Sequence, residues 1–201
     1  MEKQLIVSVG REYGSGGHEI AEKLSKYYKI QLFDHNLLDA IAAKKNLNMD
    51  HLKGLDEKHK NPLSSRTVRG FSSSPEENLL YLQFDYLRDK ADSGESFVIV
   101  GRCSETILKQ YNSLVSIFVL GDRDKKVERI MRLYQMTESQ AVRKIREKDM
   151  KRRRYHNSFC DRKWGDSRNY DISINSSKLG IDTTVELLTD YIDRRRNRQE
   201  D

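Results

Sequence analysis

Cysteine is scarce in this chain, and so are the marks of exported, membrane-bound or zinc-binding proteins. The 201 residues include two cysteines, Cys103 and Cys160, in no CxxC or Cys–His spacing that is typical of zinc sites. No apolar run approaches the length of a membrane span. A strand-like run follows residues 1–4 at once, without the basic and apolar regions of a signal peptide. The sequence therefore predicts a cytoplasmic protein with no disulfide scaffold and no membrane partner.

Positive charge is concentrated in two segments of the chain. The formal net charge is +6, and 34% of the residues are charged. Basic residues cluster at 144–154 and at 194–198, and for the second cluster we expect a solvated helix end. A basic protein can bind nucleic acid or a small polyanion such as a nucleotide. Nucleic-acid binding is disfavoured here, because no aromatic-rich or helix-turn-helix signature accompanies the charge.

Five short apolar runs alternate with helical patterns. Most are continuous rather than alternating, as in strands that are buried on both faces. Alternating strands and helices predict an α/β fold, a three-layer sandwich with a five-stranded parallel sheet flanked by helices. The predicted strands are 5–9, 30–33, 97–100, 115–120 and 171–174.

Capping residues predict where the helices begin. Ile20, Leu24 and Tyr28 share one face of an amphipathic helix at 17–28. Ser, Thr and Asp at N-cap positions, with Glu or Gln three residues later, mark helix starts. The predicted caps are Ser74, Asp122, Thr137 with Gln140, and Thr183 with Glu186.

Two segments do not fit this alternation. Residues 36–74 combine short helical patterns with a loose stretch, and residues 144–168 are intensely basic and contain no strand. Long insertions in a compact core are usually functional or mobile. We expect one domain, 1–201, with its core at 1–35, 75–143 and 169–201.

The turn after the first strand is rich in glycine and opens into the helix at 17–28. Glycine lets backbone N–H groups converge on phosphate oxygens, and the helix N-terminus adds a favourable dipole. The strict pattern GxxxxGK[ST] is absent, because Gly17 stands at the lysine position and Glu19 at the hydroxyl position. Arg11, or an arginine of the basic segment 144–168, could supply the missing positive charge, and Ser15 could supply a hydroxyl for a metal. The alternative is a tight turn that binds no ligand. The predicted phosphate-binding residues are Tyr13, Gly14, Ser15, Gly16, Gly17 and His18.

An ordered set of motifs resembles the cytidylate kinase-like family, in the group that lacks the P-loop lysine. The motifs are VGREYGSGGHEIA at 9–21, FDHNLL at 33–38, VIVGRC at 98–103, IFVL at 117–120, the Ile145, Asp149, Arg152 and Tyr155 pattern, and YDISIN at 170–175. The resemblance implies a P-loop NTPase-like kinase with an acceptor-binding insertion at 36–74 and a basic lid at 144–168. It also implies ATP and Mg²⁺ as cofactors and a nucleotide substrate.

Four residues are predicted to bind the acceptor. Asp34 follows the second strand, where it could orient the acceptor or cap the next helix. The resemblance assigns Arg102 to an acceptor phosphate, and a surface salt bridge is the alternative. Arg66 and Arg69 could reach the same phosphate or belong to a solvated loop. Cys103 stands where related kinases carry an aspartate, which leaves base and sugar recognition open.

The basic lid supplies the remaining candidates. Phosphoryl transfer needs positive charge around the transferred group, and a dense run of like charge is costly without an anion. A solvated basic helix is the alternative. Asp149 is expected to order the lid arginines. The predicted catalytic residues are Arg11, Lys148, Lys151, Arg152 and Arg153.

The favoured function is ATP-dependent phosphoryl transfer to a nucleoside monophosphate, such as CMP or dCMP, or to a similar small acceptor. The missing lysine supports an alternative, which is a regulatory protein that binds nucleotide without transferring phosphate. A monomer and a homodimer are both compatible with the sequence.

Overall fold

Five parallel strands form the central sheet in a computed structural model that describes residues 3–45, 67–68, 71–72 and 75–198. The strand order is β2-β5-β1-β6-β7, and every pairing in this sheet is parallel. A separate antiparallel pair is formed by β3 and β4. The strands are β1 Ile6–Arg11, β2 Gln31–Phe33, β3 Thr67–Val68, β4 Phe71–Ser72, β5 Phe97–Val100, β6 Leu114–Leu120 and β7 Ile172–Asn175. The five predicted strands are confirmed.

Helices cover both faces of the sheet, so the predicted three-layer sandwich is confirmed. On one face α1 and α7 pack against Val7 and Val9, and on the other α2, α3 and α4 pack near Ile6. Both sets of strand side chains are buried, which explains the continuous apolar runs. The helices are α1 Gly17–Tyr28, α2 Leu37–Lys45, α3 Pro75–Asp92, α4 Ser104–Ile107, α5 Arg123–Tyr134, α6 Glu138–Phe159 and α7 Ser176–Arg198.

The predicted helix starts agree with the structure except at the last helix. α3 begins at Pro75, and Asp122 is the N-cap of α5, although its side chain makes no capping hydrogen bond. The cap predicted at Thr183 is wrong, because α7 already begins at Ser176 and is interrupted at Gly180. Gly180 has φ of 78°, a left-handed conformation that glycine adopts at little cost, so it breaks the helix before Thr183.

α6 is the helix that carries the basic segment. It is 22 residues long and continues from the Thr137 cap to Phe159, so the lid candidates lie on one continuous helix. None of the helices in the described part of the chain combines the length and the hydrophobicity that a bilayer span requires.

Thr137→Ala is expected to lower the free energy of unfolding by about 1 kcal/mol, because the hydroxyl that accepts one of the two bonds of a capping box is lost. The Gln140 N–H donates to Thr137 Oγ1 at 3.4 Å, and the Thr137 N–H donates to Gln140 Oε1 at 2.9 Å. Urea unfolding of the wild type and the variant measures the difference. Thr137→Ser keeps the hydroxyl and is the matched control. Equal losses in the two variants would contradict the assignment.

Candidate functional site

The glycine-rich loop between β1 and α1 is held by its own backbone and by β6. The Glu12 N–H donates to the Val119 carbonyl at 2.9 Å, and the Glu12 carbonyl accepts from the Ser15 hydroxyl at 2.9 Å. Gly14 and Gly16 have φ of 88° and 79°, so the turn needs residues that adopt left-handed conformations. The loop is therefore a defined turn at the carboxyl end of β1.

The first turn of α1 presents unpaired amides at this edge of the sheet. Gly16 is the N-cap, and no side chain caps the helix. Among the described residues, no protein acceptor is found for the N–H groups of His18 and Glu19. Free amides at a helix N-terminus favour an anion such as a phosphate.

The side chain of Arg11 occupies the space that the Cβ atom of a P-loop lysine at position 17 would need. A Cβ atom built on Gly17 would lie 2.5 Å from Arg11 Cβ and 3.2 Å from Val119 Cβ. The side chain of Arg11 then extends across the sheet, and its Nη1 occupies the space that a Cβ on Gly101 would need. Glycine at 17 is thus required by the packing of Arg11, and the guanidinium lies between α1 and the end of β5.

A cavity of about 500 Å³ opens at the carboxyl ends of β1, β2 and β5, beneath α6. This is the edge where α/β folds bind ligands. A second cavity, of about 480 Å³, lies away from the loop, beside the start of β6. The ion pair of Arg195 with Asp171 lines it. The first cavity is lined by Gly10, Arg11, Asp34, His35, Val100, Gly101, Arg102, Cys103, Glu105, Lys148, Lys151, Arg152, Tyr155, His156, Trp164 and Tyr170.

Positive charge dominates the cavity wall. Five basic side chains line it, against the two carboxylates of Asp34 and Glu105. In the described part of the chain, no salt bridge is formed by Arg11. Burial, together with the charges of Arg152 and Arg102, lowers the pKa of Arg11 well below its usual value. A bound anion would compensate this crowding, so the cavity is suited to phosphate.

The lid helix is tied to the loop by Asp149 and Arg152. Asp149 Oδ1 accepts a hydrogen bond from the Tyr13 N–H at 2.6 Å, and Arg152 Nη1 donates to the Arg11 carbonyl at 3.1 Å. The guanidinium of Arg152 also lies over the Tyr13 ring, 5.4 Å from its centroid. Burial raises the pKa of Asp149, against the opposing effects of the Tyr13 amide, Lys126 and Arg152. Asp149 thus connects lid and loop rather than acting within the lid alone.

Lys126 is a site residue that the sequence analysis missed. Its Nζ lies 2.8 Å from Glu12 Oε2 and 3.7 Å from Asp149 Oδ2. The same Glu12 oxygen accepts from the Gly121 N–H at 3.2 Å. Nothing in a single sequence signals these contacts, because 114 residues separate Lys126 from Glu12.

Asp34 orders the turn before α2 and also lines the cavity. Its Oδ1 accepts from the Asn36 N–H at 3.0 Å, which orders the turn before α2. Its Oδ2 lies 2.8 Å from His35 Nδ1 and 3.5 Å from His18 Nε2, beside the cavity. This buried carboxylate fits a magnesium ion carried by a nucleotide, since Mg²⁺ prefers oxygen ligands.

The structure brings together some of the predicted residues and separates others. Ser15 does not fit the metal role, because its hydroxyl is buried and donates to the Glu12 carbonyl. The Arg153 guanidinium lies over Trp164 at 5.7 Å and does not line the cavity. Arg66 and Arg69 lie outside the described residues. The cavity collects Arg11, Asp34, Arg102, Lys148, Lys151 and Arg152.

An ionisable pair lies in the inner wall of the cavity. His156 Nε2 lies 2.6 Å from Glu105 Oε1, and both side chains are buried. Burial alone would lower the pKa of His156, but the interactions with Cys160 and Glu105 outweigh it and raise the pKa to about 10. The pair therefore joins the last turns of α6 to the segment after β5.

This chain is similar to several solved structures. A crystal structure of an uncharacterized protein from Eubacterium ventriosum is 37% identical, covers 94% of this chain and 99% of its own, and has a TM-score of 0.76. A gluconokinase from Sinorhizobium meliloti is 10% identical, with coverage of 100% and 98% and a TM-score of 0.59. A shikimate kinase from Bacteroides thetaiotaomicron is 12% identical, with coverage of 94% and 98% and a TM-score of 0.55. The two kinases share the fold with this chain.

The sequence itself gives the family. No curated protein matches the chain. The model of the cytidylate kinase-like family matches residues 6–178, which include the loop, the cavity and the lid helix. With a P-loop kinase fold and this match over most of its length, the chain belongs to the cytidylate kinase-like family.

Proposed function

We propose that this protein transfers the γ-phosphoryl group of ATP to a nucleoside monophosphate, such as CMP or dCMP, or to a similar small phosphate-bearing acceptor. The observation that carries the proposal is the convergence of five basic side chains on one cavity beside the loop. Phosphoryl transfer requires positioning and charge stabilisation rather than covalent chemistry by the protein. The family and the fold support phosphoryl transfer in general.

The loop and the cavity beside it have different parts in this reaction. The free amides at the start of α1 bind the donor phosphates. Arg102 and the lid residues Lys148 and Lys151 hold the acceptor phosphate from the opposite side. Arg11 lies between them, where negative charge spreads over the transferred group. A magnesium ion, when bound beside Asp34, would neutralise phosphate charge.

A second candidate is nucleotide binding without transfer. One observation favours it, which is that Gly17 occupies the lysine position and the packing of Arg11 leaves no room for a longer side chain there. If Arg11 cannot replace the lysine, the loop amides still bind phosphate, but the transferred group lacks its cation.

A coupled assay of ADP release separates the two candidates. Wild-type protein is incubated with ATP, Mg²⁺ and one of CMP, dCMP, UMP, AMP or GMP. Transfer predicts ADP release that depends on the acceptor and exceeds the rate with ATP alone. Binding without transfer predicts a dissociation constant for ATP, measured by calorimetry, and the same low rate with every acceptor.

A further inference from the structure

A cluster of metal-ligating side chains lies behind the cavity. A Glu105 oxygen, a His156 ring nitrogen and Cys160 Sγ all lie within 4.8 Å of one another. Their side chains come from α4 and from the C-terminal end of α6. The exposed fractions are 5% for Glu105, 4% for His156 and 9% for Cys160. The buried thiol of Cys103 lines the adjoining cavity but does not belong to this group of three ligand atoms.

The protein groups alone leave this cluster incompletely satisfied. His156 Nδ1 is buried and has no hydrogen-bond partner. A buried polar atom without a partner is destabilising, so such an atom calls for an explanation. A free imidazole nitrogen beside a thiol and a carboxylate is expected where a metal ion completes the site.

We propose that Glu105, His156 and Cys160 form a binding site for a borderline-soft divalent metal ion of the Zn²⁺ class. A thiolate sulfur, an imidazole nitrogen and a carboxylate oxygen are donors that bind zinc, and three protein ligands leave the fourth tetrahedral position to water. Mg²⁺ and Ca²⁺ select all-oxygen sites instead, so this cluster discriminates against the ions expected at the nucleotide.

Metal binding requires a small rearrangement of the Glu105–His156 pair. The two ligand atoms are 2.6 Å apart in their hydrogen bond. In a tetrahedral zinc site two such ligands lie about 3.3 Å apart. If the imidazole ring turns, its Nδ1, which has no hydrogen-bond partner, binds the ion, and the Glu105 oxygen is released from its bond to Nε2 and becomes a ligand.

A metal at this position would join the lid helix to the cavity wall. His156 and Cys160 belong to the C-terminal end of α6, which also carries Lys148 and Arg152. Cys103 and Glu105 follow Arg102, which lines the same cavity. The ion would therefore fix the lid against the segment after β5, and this structural role does not depend on which reaction the cavity catalyses.

Cobalt spectroscopy tests the site on the intact protein. Protein that has been stripped with a chelator and kept reduced with a phosphine is titrated with Co²⁺. The proposal predicts one equivalent bound, with thiolate-to-cobalt charge-transfer bands and the intense d–d bands of tetrahedral geometry, and displacement by Zn²⁺. Cys160→Ser is expected to weaken binding by at least about tenfold. Weak octahedral bands without charge transfer, or full binding by Cys160→Ser, would overturn the proposal.

The control variant tests a second pair of histidines, His18 and His35, which lies beside Asp34. His35→Asn removes an exposed imidazole beside Asp34 and His18, so metal binding should be unchanged. Loss of the cobalt spectrum in this variant alone would show that the metal binds to that exposed group, and it would refute the buried site.

A measurement without mutation covers the case in which Cys160→Ser fails to fold. Zn²⁺ should slow alkylation of Cys160 in the wild type by a maleimide, and a chelator should restore the rate. Unchanged alkylation, or a mass about 2 Da lower that shows a disulfide between the two thiols, would count against a metal site. None of these readouts uses phosphoryl transfer, so failure here and failure of the proposed kinase activity are distinguishable.

Discussion

Replacing Arg11 with alanine is expected to lower kcat/KM for phosphoryl transfer by about a thousandfold, as the loss of an arginine that stabilises transferred phosphate does. Arg11 is placed between the start of α1 and Gly101, and its charge is crowded by Arg102 and Arg152. It is the one cavity cation among the described residues that also fills the space of the missing lysine. Steady-state kinetics with ATP and the best acceptor measure the loss.

A matched control separates this effect from a general loss of positive charge. Arg143 is on the same lid helix as Arg152, is 75% exposed at its side chain, and lies outside the cavity. Arg143→Ala should keep kcat/KM within about twofold of the wild type, since exposed charges have small local effects. Equal losses in Arg11→Ala and Arg143→Ala would show that Arg11 has no specific role.

The second large effect concerns stability. Gly17→Ala is expected to lower the free energy of unfolding by about 2 kcal/mol, within the usual cost of overpacking. The added Cβ would lie 2.5 Å from Arg11 Cβ, closer than two such atoms approach without a backbone shift. Urea unfolding followed by circular dichroism measures the change.

A double-mutant cycle identifies the clashing atom. Arg11→Gly removes the Cβ that the new methyl group at position 17 would meet, so the cost of Gly17→Ala should fall by at least about 1 kcal/mol in that background. Arg11→Ala keeps the Cβ and should leave most of the cost in place. The same cost in both backgrounds would mean that Arg11 does not determine the glycine at 17.

The sheet and the glycine-rich turn that follows β1 could be predicted from the sequence because their signals are local. Strands buried on both faces give continuous apolar runs, and a parallel sheet brings their carboxyl ends to one edge. Asp34 and Arg102 follow β2 and β5, so they were expected at this edge, and both line the cavity. The N-cap predicted at Thr183 was wrong because Gly180 interrupts the helix just before it.

The contacts that the sequence could not reveal join residues that are far apart in the chain. Asp149 reaches the amide of Tyr13 across 136 residues, and His156 reaches Glu105 across 51. One signal was present, because His156 and Cys160 are four residues apart, a spacing that places two ligands on one face of a helix. Packing of α6 on the sheet creates both contacts, and no local pattern encodes that packing.

Transfer of labelled phosphate tests the central claim most directly. The protein is incubated with Mg²⁺ and ATP labelled at the γ-phosphate, together with CMP, dCMP or another monophosphate, and the nucleotides are separated by chromatography. The proposed function predicts label in the diphosphate of one acceptor, and its near absence with Arg11→Ala. Label that stays in ATP, or appears only as inorganic phosphate with every acceptor, would contradict the claim.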